Sequence, residues 1–149
     1  MSAPFFVAGA PATKGSMNAF IHPQTGKIAV RGDNPRTRAW ERAVHLTALA
    51  AGVELTGREG GVIVACRFIL PRPKCHHRTG RNAHLLKASA PPAPVAERSG
   101  DVDKLLRAVL DGLASVAYET DAQVLGVTGT KEYASAPDQV GCWVEVRRG

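Results

Sequence analysis

The sequence predicts an α+β fold, a small mixed or antiparallel sheet packed against two main helices. Three observations lead there. Two segments carry apolar residues at helical spacing. Several short β-rich runs are bounded by Pro, Gly, Asn and Asp. The 149 residues suit one domain, expected to span residues 1–149 and large enough to bury about 68–70% of its unfolded surface.

In chain order, FFVAGAP (residues 5–11) reads as a short apolar strand ending in a turn. AFIHPQTGKIAVR (19–31) has two apolar runs around Pro23, Gln24, Thr25 and Gly26, which predicts a hairpin. Asn34 then suits an N-cap and Pro35 the first helical position. Trp40, Ala43, Val44 and Thr47 recur at helical spacing, with Ala50 and Ala51 on the same side and Gly52 as the stop. Arg36, Arg38 and Arg42 fall elsewhere, toward solvent or a phosphate backbone. GVIVACRFILP (61–71) is β-rich and mostly apolar, so a well-buried strand is expected. AQVLGVTGTKEYA (122–134) and VGCWVEVRR (140–148) are also β-rich, with the turn residues SAPDQ between them. They predict a C-terminal antiparallel β-hairpin.

Residues 71–98 have a different character. Prolines stand at 71, 73, 91, 92 and 94, and from 72 to 87 there are Arg72, Lys74, Arg78, Arg81 and Lys87 but no acid. A loop this long is functional or disordered rather than a mere connection. With this charge, its functional form grips phosphates; otherwise it is a solvated loop.

The chain has 19 Lys plus Arg against 13 Asp plus Glu, a net charge of +6. That excess favours a polyanionic partner. No apolar run approaches the ~18 residues of a membrane span, and MSAPFFVAGAP lacks the basic start and long apolar core of a signal peptide. A cytoplasmic protein is expected. Cys66, Cys75 and Cys142 stand at unrelated spacings, which fits reduced thiols and no disulfide framework. Cys75-His76-His77 with His84 has no matching second ligand pair of the kind a structural zinc site uses.

The most informative stretch is SGDVDKLLRAVLDGL (99–113), where a basic chain gathers acids. On a helix from Asp103 to Val116, at about 100° per residue, Leu105, Leu106, Val109, Leu110, Leu113 and Val116 share one arc. Asp103, Arg107 and Asp111 form a stripe on the other side, with Lys104 beside it and Asp101 at the helix mouth. Ordinary helix chemistry accounts for these residues in one way: Asp101 as an N-cap, Asp103 favouring the dipole, Arg107 and Asp111 as a surface pair. A metal site accounts for them in another. Glu119 and Asp121 follow the helix, and a returning loop would present a further carboxylate. Carboxylate oxygens are what Mg²⁺ takes. A basic surface that holds phosphates, with acids that hold a metal, suits nucleic-acid cleavage.

GDVDKLLRAVLDGLASVAYETDAQV (100–124) resembles the RusA-type Holliday-junction resolvases of bacteria and their phages. That family's core reads D-x-D-N-x-x-K, then a hydrophobic helix with LDAL, then DDxQV. The likeness is close from Asp101 to Val124. It is looser at the G-x-P-x-x-K-G of Gly9 to Gly15, the helix after Asn34 and the K-E-Y of residues 131–133, and least in the loop 72–98. It implies a RusA-like fold and a homodimeric, Mg²⁺-dependent endodeoxyribonuclease, with Mn²⁺ as a substitute ion. Such an enzyme resolves four-way junctions by paired symmetric nicks in DNA recombination and repair, in a bacterium or as a phage protein in its host. Asp101, Asp103 and Asp121 fall on the family's metal-binding carboxylates and Arg107 on an essential Lys. Lys104 replaces the usual Asn. Arg107 keeps its proton near neutral pH. A position that needs only a fixed positive charge tolerates it; one that transfers a proton does not. Lys104 lies about 60° around the helix from Arg107 and offers a second cation. Phosphate contacts are expected from Lys14, Arg72, Lys74, Arg78, Arg81, Lys104 and Lys131.

Two other readings compete. One is a branched-DNA-binding protein with weak or no cleavage. The other is a basic structural protein whose acids only cap a helix. The response to Mg²⁺ separates the three.

Overall fold

A computed structural model of the chain describes residues 3–15, 18–31 and 35–149. The elements are β1 (Phe5–Ala8), β2 (Asn18–Ile21), β3 (Ile28–Arg31), α1 (Pro35–Ala50), β4 (Val62–Leu70), α2 (Val102–Leu113), β5 (Val124–Tyr133) and β6 (Gly141–Arg148). This is the α+β class the sequence predicts. β2 and β3 form the expected hairpin, apart from the main sheet. The Asn34 cap lies outside the described residues.

The main sheet has the order β1-β6-β4-β5. β6 is antiparallel to both β1 and β4, and β5 is parallel to β4. Hence β1, β4 and β5 all run the same way. This corrects the expected C-terminal β-hairpin. Both predicted strands form, but each pairs with β4, on opposite sides of it. The reason lies in α2, which carries the chain back from the end of β4 to its start, so that β5 must run parallel. Residues 134–140 then pass over the end of β4, where the Ala134 N–H donates to Leu70 O at 2.9 Å. β5 also suits an edge, for its sequence VLGVTGTKEY carries two glycines and a lysine.

Period-2 alternation sends Val62, Val64, Cys66 and Phe68 of β4 to the buried face, joined by Val7, Cys142, Val144 and Val146. Trp40, Val44 and Ala48 of α1 and Leu105, Val109 and Leu113 of α2 close the same core. Each such Val or Leu contributes roughly 1.5–3 kcal/mol by leaving water. The α1 stripe is narrower than the sequence suggests: Ala50 and Ala51 are exposed, while Thr37 is buried and its hydroxyl donates to Thr13 O at 2.9 Å. The helices approach closely at Gly112, where a Cβ would lie 2.7 Å from Glu41 O and 2.8 Å from Val44 Cβ. α2 stops at Leu113 rather than Val116, because Ala114 is extended and Ser115 takes a left-handed φ of 65°. Among the described residues no helix is long and apolar enough to cross a membrane.

Candidate functional site

The N-terminus of α2 sits at the carboxyl edge of the sheet and is held there by specific bonds. Gly100 adopts φ 88°, and a Cβ there would meet Thr13 Cγ2 at 2.6 Å, so the position needs glycine. Lys131 of β5 donates from Nζ to Ser99 Oγ at 3.0 Å and to Gly100 O at 2.7 Å. The Lys14 N–H donates to Lys104 O at 3.1 Å. These bonds fix where residue 101 points.

Asp101 occupies the N-cap position, yet its carboxylate accepts no bond from the helix. It is 62% exposed and faces Lys104 Nζ at 3.4 Å. Asp103, in the first turn, is also exposed. Both stand in the positive field of the helix end. Arg107 is exposed and has no hydrogen bond or ion pair among the described residues. The surface pair of Arg107 with Asp111 does not form. Asp111 instead meets Lys14 Nζ at 3.2 Å, and the same ammonium reaches Glu41 Oε1 at 3.1 Å. Lys14 thus ties its loop to both helices.

Asp121 lies beyond the other end of α2, in the short turn before β5. Thr120 and Gln123 form a capping box there. Gln123 is buried, donating to Gly57 O at 2.9 Å and Gly60 O at 3.0 Å and accepting from the Glu119 N–H at 2.8 Å. Nearby, the Tyr118 hydroxyl donates to Leu110 O at 2.5 Å. Burial, then the charges of Asp121 and Asp111, push the Tyr118 pKa upward. Asp121 thus follows the C-terminal end of α2, while Asp101 and Asp103 stand at the other end of that 12-residue helix, about 18 Å long. Among the described residues no three Asp, Glu, His or Cys side chains group closely enough to hold a metal ion. The chemistry of Asp101 and Asp103 nonetheless fits a hard cation, for Mg²⁺ is commonly held by one or two carboxylates completed by substrate phosphates and water.

The basic loop is folded. The Arg78 N–H donates to Leu85 O at 2.8 Å and the Lys87 N–H to His76 O at 2.9 Å. Lys74, Arg78 and Arg81 are exposed. Arg72 is half-buried, donating to Pro91 O at 2.5 Å with its guanidinium 4.1 Å from the Tyr133 ring centre. Of the cations expected on phosphates, Lys14, Arg72 and Lys131 make internal bonds, Arg78 donates to Leu86 O at 3.2 Å and Lys104 pairs with Asp101, while Lys74 and Arg81 are exposed. Gln123 and Lys131 are visible in the DDxQV and K-E-Y motifs, but their positioning roles are not, since their partners are distant in the chain.

A family model described as endodeoxyribonuclease RusA matches residues 14–146. No curated protein and no solved structure matches the chain.

Proposed function

We propose, from the premise that the chain belongs to the RusA endodeoxyribonuclease family, that it cuts four-way DNA junctions by paired symmetric nicks in a Mg²⁺-dependent reaction. The family resolves Holliday junctions, and its nucleases are generally dependent on a divalent metal. The observation that carries the reading is the state of Asp101 and Asp103. Both are presented to solvent at a helix mouth, and Asp101 is at a cap position without capping. Its one partner is the half-exposed Lys104 at 3.4 Å, a surface pair that leaves most of the carboxylate open to a cation.

Asp101 and Asp103 would hold the ion against a substrate phosphate. Asp121 joins the set through its motif rather than through proximity. When bound, the ion supplies charge neutralisation at the scissile phosphate and a more acidic water. Lys131 keeps the Gly100–Asp101 turn in place, so the carboxylates need no reorganisation when DNA arrives. Lys104 stands beside Asp101, and Arg107 one turn further along the helix face supplies a fixed positive charge to the transition state. Lys74, Arg78 and Arg81 hold the arms through phosphates without reading sequence. Two copies, each acting as one unit over residues 1–149 in the cytoplasm, would match the near two-fold symmetry of a junction.

The test is a labelled four-way junction, incubated with and without Mg²⁺ beside a linear duplex of the same sequence. Symmetric nicks in the junction alone, and only with Mg²⁺, are expected. Tight junction binding without cutting under any divalent ion would favour the second reading, a branched-DNA binder. The changes at Lys104 and Arg107 and the ungrouped third carboxylate speak for that reading.

A further inference from the structure

A cleft of about 870 Å³ opens at the carboxyl ends of the parallel strands β1, β4 and β5, with the basic loop as one wall. Crevices form there in open α/β sheets because the connections leave the strand ends in different directions. The volume is in the ~300–1,000 Å³ range of small-ligand sites.

The lining is mixed. Arg72, His77 and His84 bring charge and hydrogen-bond donors to it. The bonds of Arg72 to Pro91 O and toward His76 Nδ1 both use Nη1. Its Nε and Nη2 donors therefore have no protein partner among the described residues. His77 lines the cleft with its Nδ1 buried, so only the rest of its ring is open to a ligand. The apolar Ala10, Leu86 and Val140 line the cleft as well, Leu86 next to His77 through an antiparallel bridge, together with Asp138. A guanidinium with spare donors and two imidazoles match a phosphate group. The apolar side chains among them match the face of a base.

We propose that this cleft takes one unpaired nucleotide of a DNA strand at the branch point. That the nucleotide belongs to a strand rests on the nuclease reading, and one observation on the loop supports it. Lys74, Arg78 and Arg81 are exposed along the same loop, so cations continue out of the cleft as a track for neighbouring phosphates. A site for a free nucleotide would have no use for them.

The experiment is an amide-resolved NMR titration of the full chain without divalent ions. The probes are thymidine 5′-monophosphate, thymidine, inorganic phosphate and a thymidine tetranucleotide. Saturable shifts at Gly9, Tyr133 and Ser135 are expected, with the tetranucleotide at least about tenfold tighter than the monophosphate and thymidine weakest. Arg72→Ala should weaken the monophosphate about tenfold. Because Arg72 also anchors the loop, two variants leave it in place. His84→Ala removes an exposed imidazole with no internal bond among the described residues and should weaken binding several-fold. Ser135→Trp should fill the cleft from its rim and abolish the shifts. Shifts that are absent, or that survive Ser135→Trp, overturn the site. A monophosphate that binds as tightly as the tetranucleotide overturns the strand as its source. Failure of the nuclease reading shows separately, as an uncut junction with Mg²⁺, and leaves this titration unaffected.

Discussion

Replacing Arg107 separates chemistry from structure more cleanly than any other substitution in α2. The side chain is exposed and makes no bond among the described residues, and Asp111, its expected partner, is already held by Lys14 at 3.2 Å. Arg107→Ala therefore breaks no ion pair. It also costs little helix propensity, since Ala and Arg are both strong helix formers. Stability should change by no more than about 0.5 kcal/mol, read as an unchanged denaturation midpoint. If the guanidinium stabilises charge on the transition state, cleavage should fall on the order of 10²–10³-fold, about 2.7–4 kcal/mol, as when one preorganised donor is removed. Arg107→Lys should retain substantial cleavage at neutral pH, because the charge remains. The assay is single-turnover cleavage of a labelled junction at saturating protein with Mg²⁺, so that slightly weaker affinity does not enter. An alanine variant that cuts at the parent rate would refute the assignment and leave Lys104 as the cation.

Asp101→Asn and Asp103→Asn should each abolish cleavage while junction affinity holds or rises, because other residues bind the phosphates and a negative charge is removed. Asp121→Asn tests the motif where proximity does not, and full activity in that variant would remove it from the site. Changing Lys74, Arg78 and Arg81 together to Ala should leave the fold intact and flatten the plot of log affinity against log salt, by up to about 0.9 for each phosphate that the loop neutralises; an unchanged slope would mean the loop is only solvated. His76 is buried near Tyr133, and burial, then the charges of Arg72 and Arg98, hold its pKa below the ordinary 6.5. Its ring stays neutral in the fold while the unfolded chain takes up the proton, so stability should decline as pH falls below about 6.5. In His76→Gln the decline between about pH 7 and pH 5 should shrink, as followed by urea denaturation; an equal decline in both proteins would place its source elsewhere.

The sequence by itself determined the elements and the chemistry at the mouth of α2. Leu105, Val109 and Leu113 recur at helical spacing, and Val62, Val64, Cys66 and Phe68 alternate. Such periods report which face is buried, because that is set within one element. The Asp101–Asp103 pair was legible for the same reason: two residues apart at a helix start, they must share one end of it. Periodicity does not say which strand lies beside which. β5 and β6 read as a hairpin because a short turn joins them, yet each gains more by flanking the apolar β4, a choice made by non-local pairing. The partners of Lys14, Lys131 and Arg72 were equally out of reach. Glu41 and Asp111 meet Lys14, Gly100 meets Lys131, and Pro91 meets Arg72 only once the strands are ordered. The sequence also set Asp121 beside Asp101 and Asp103 by motif alone. The tertiary structure placed them at opposite ends of α2, because a straight helix of that length separates whatever stands at its two ends.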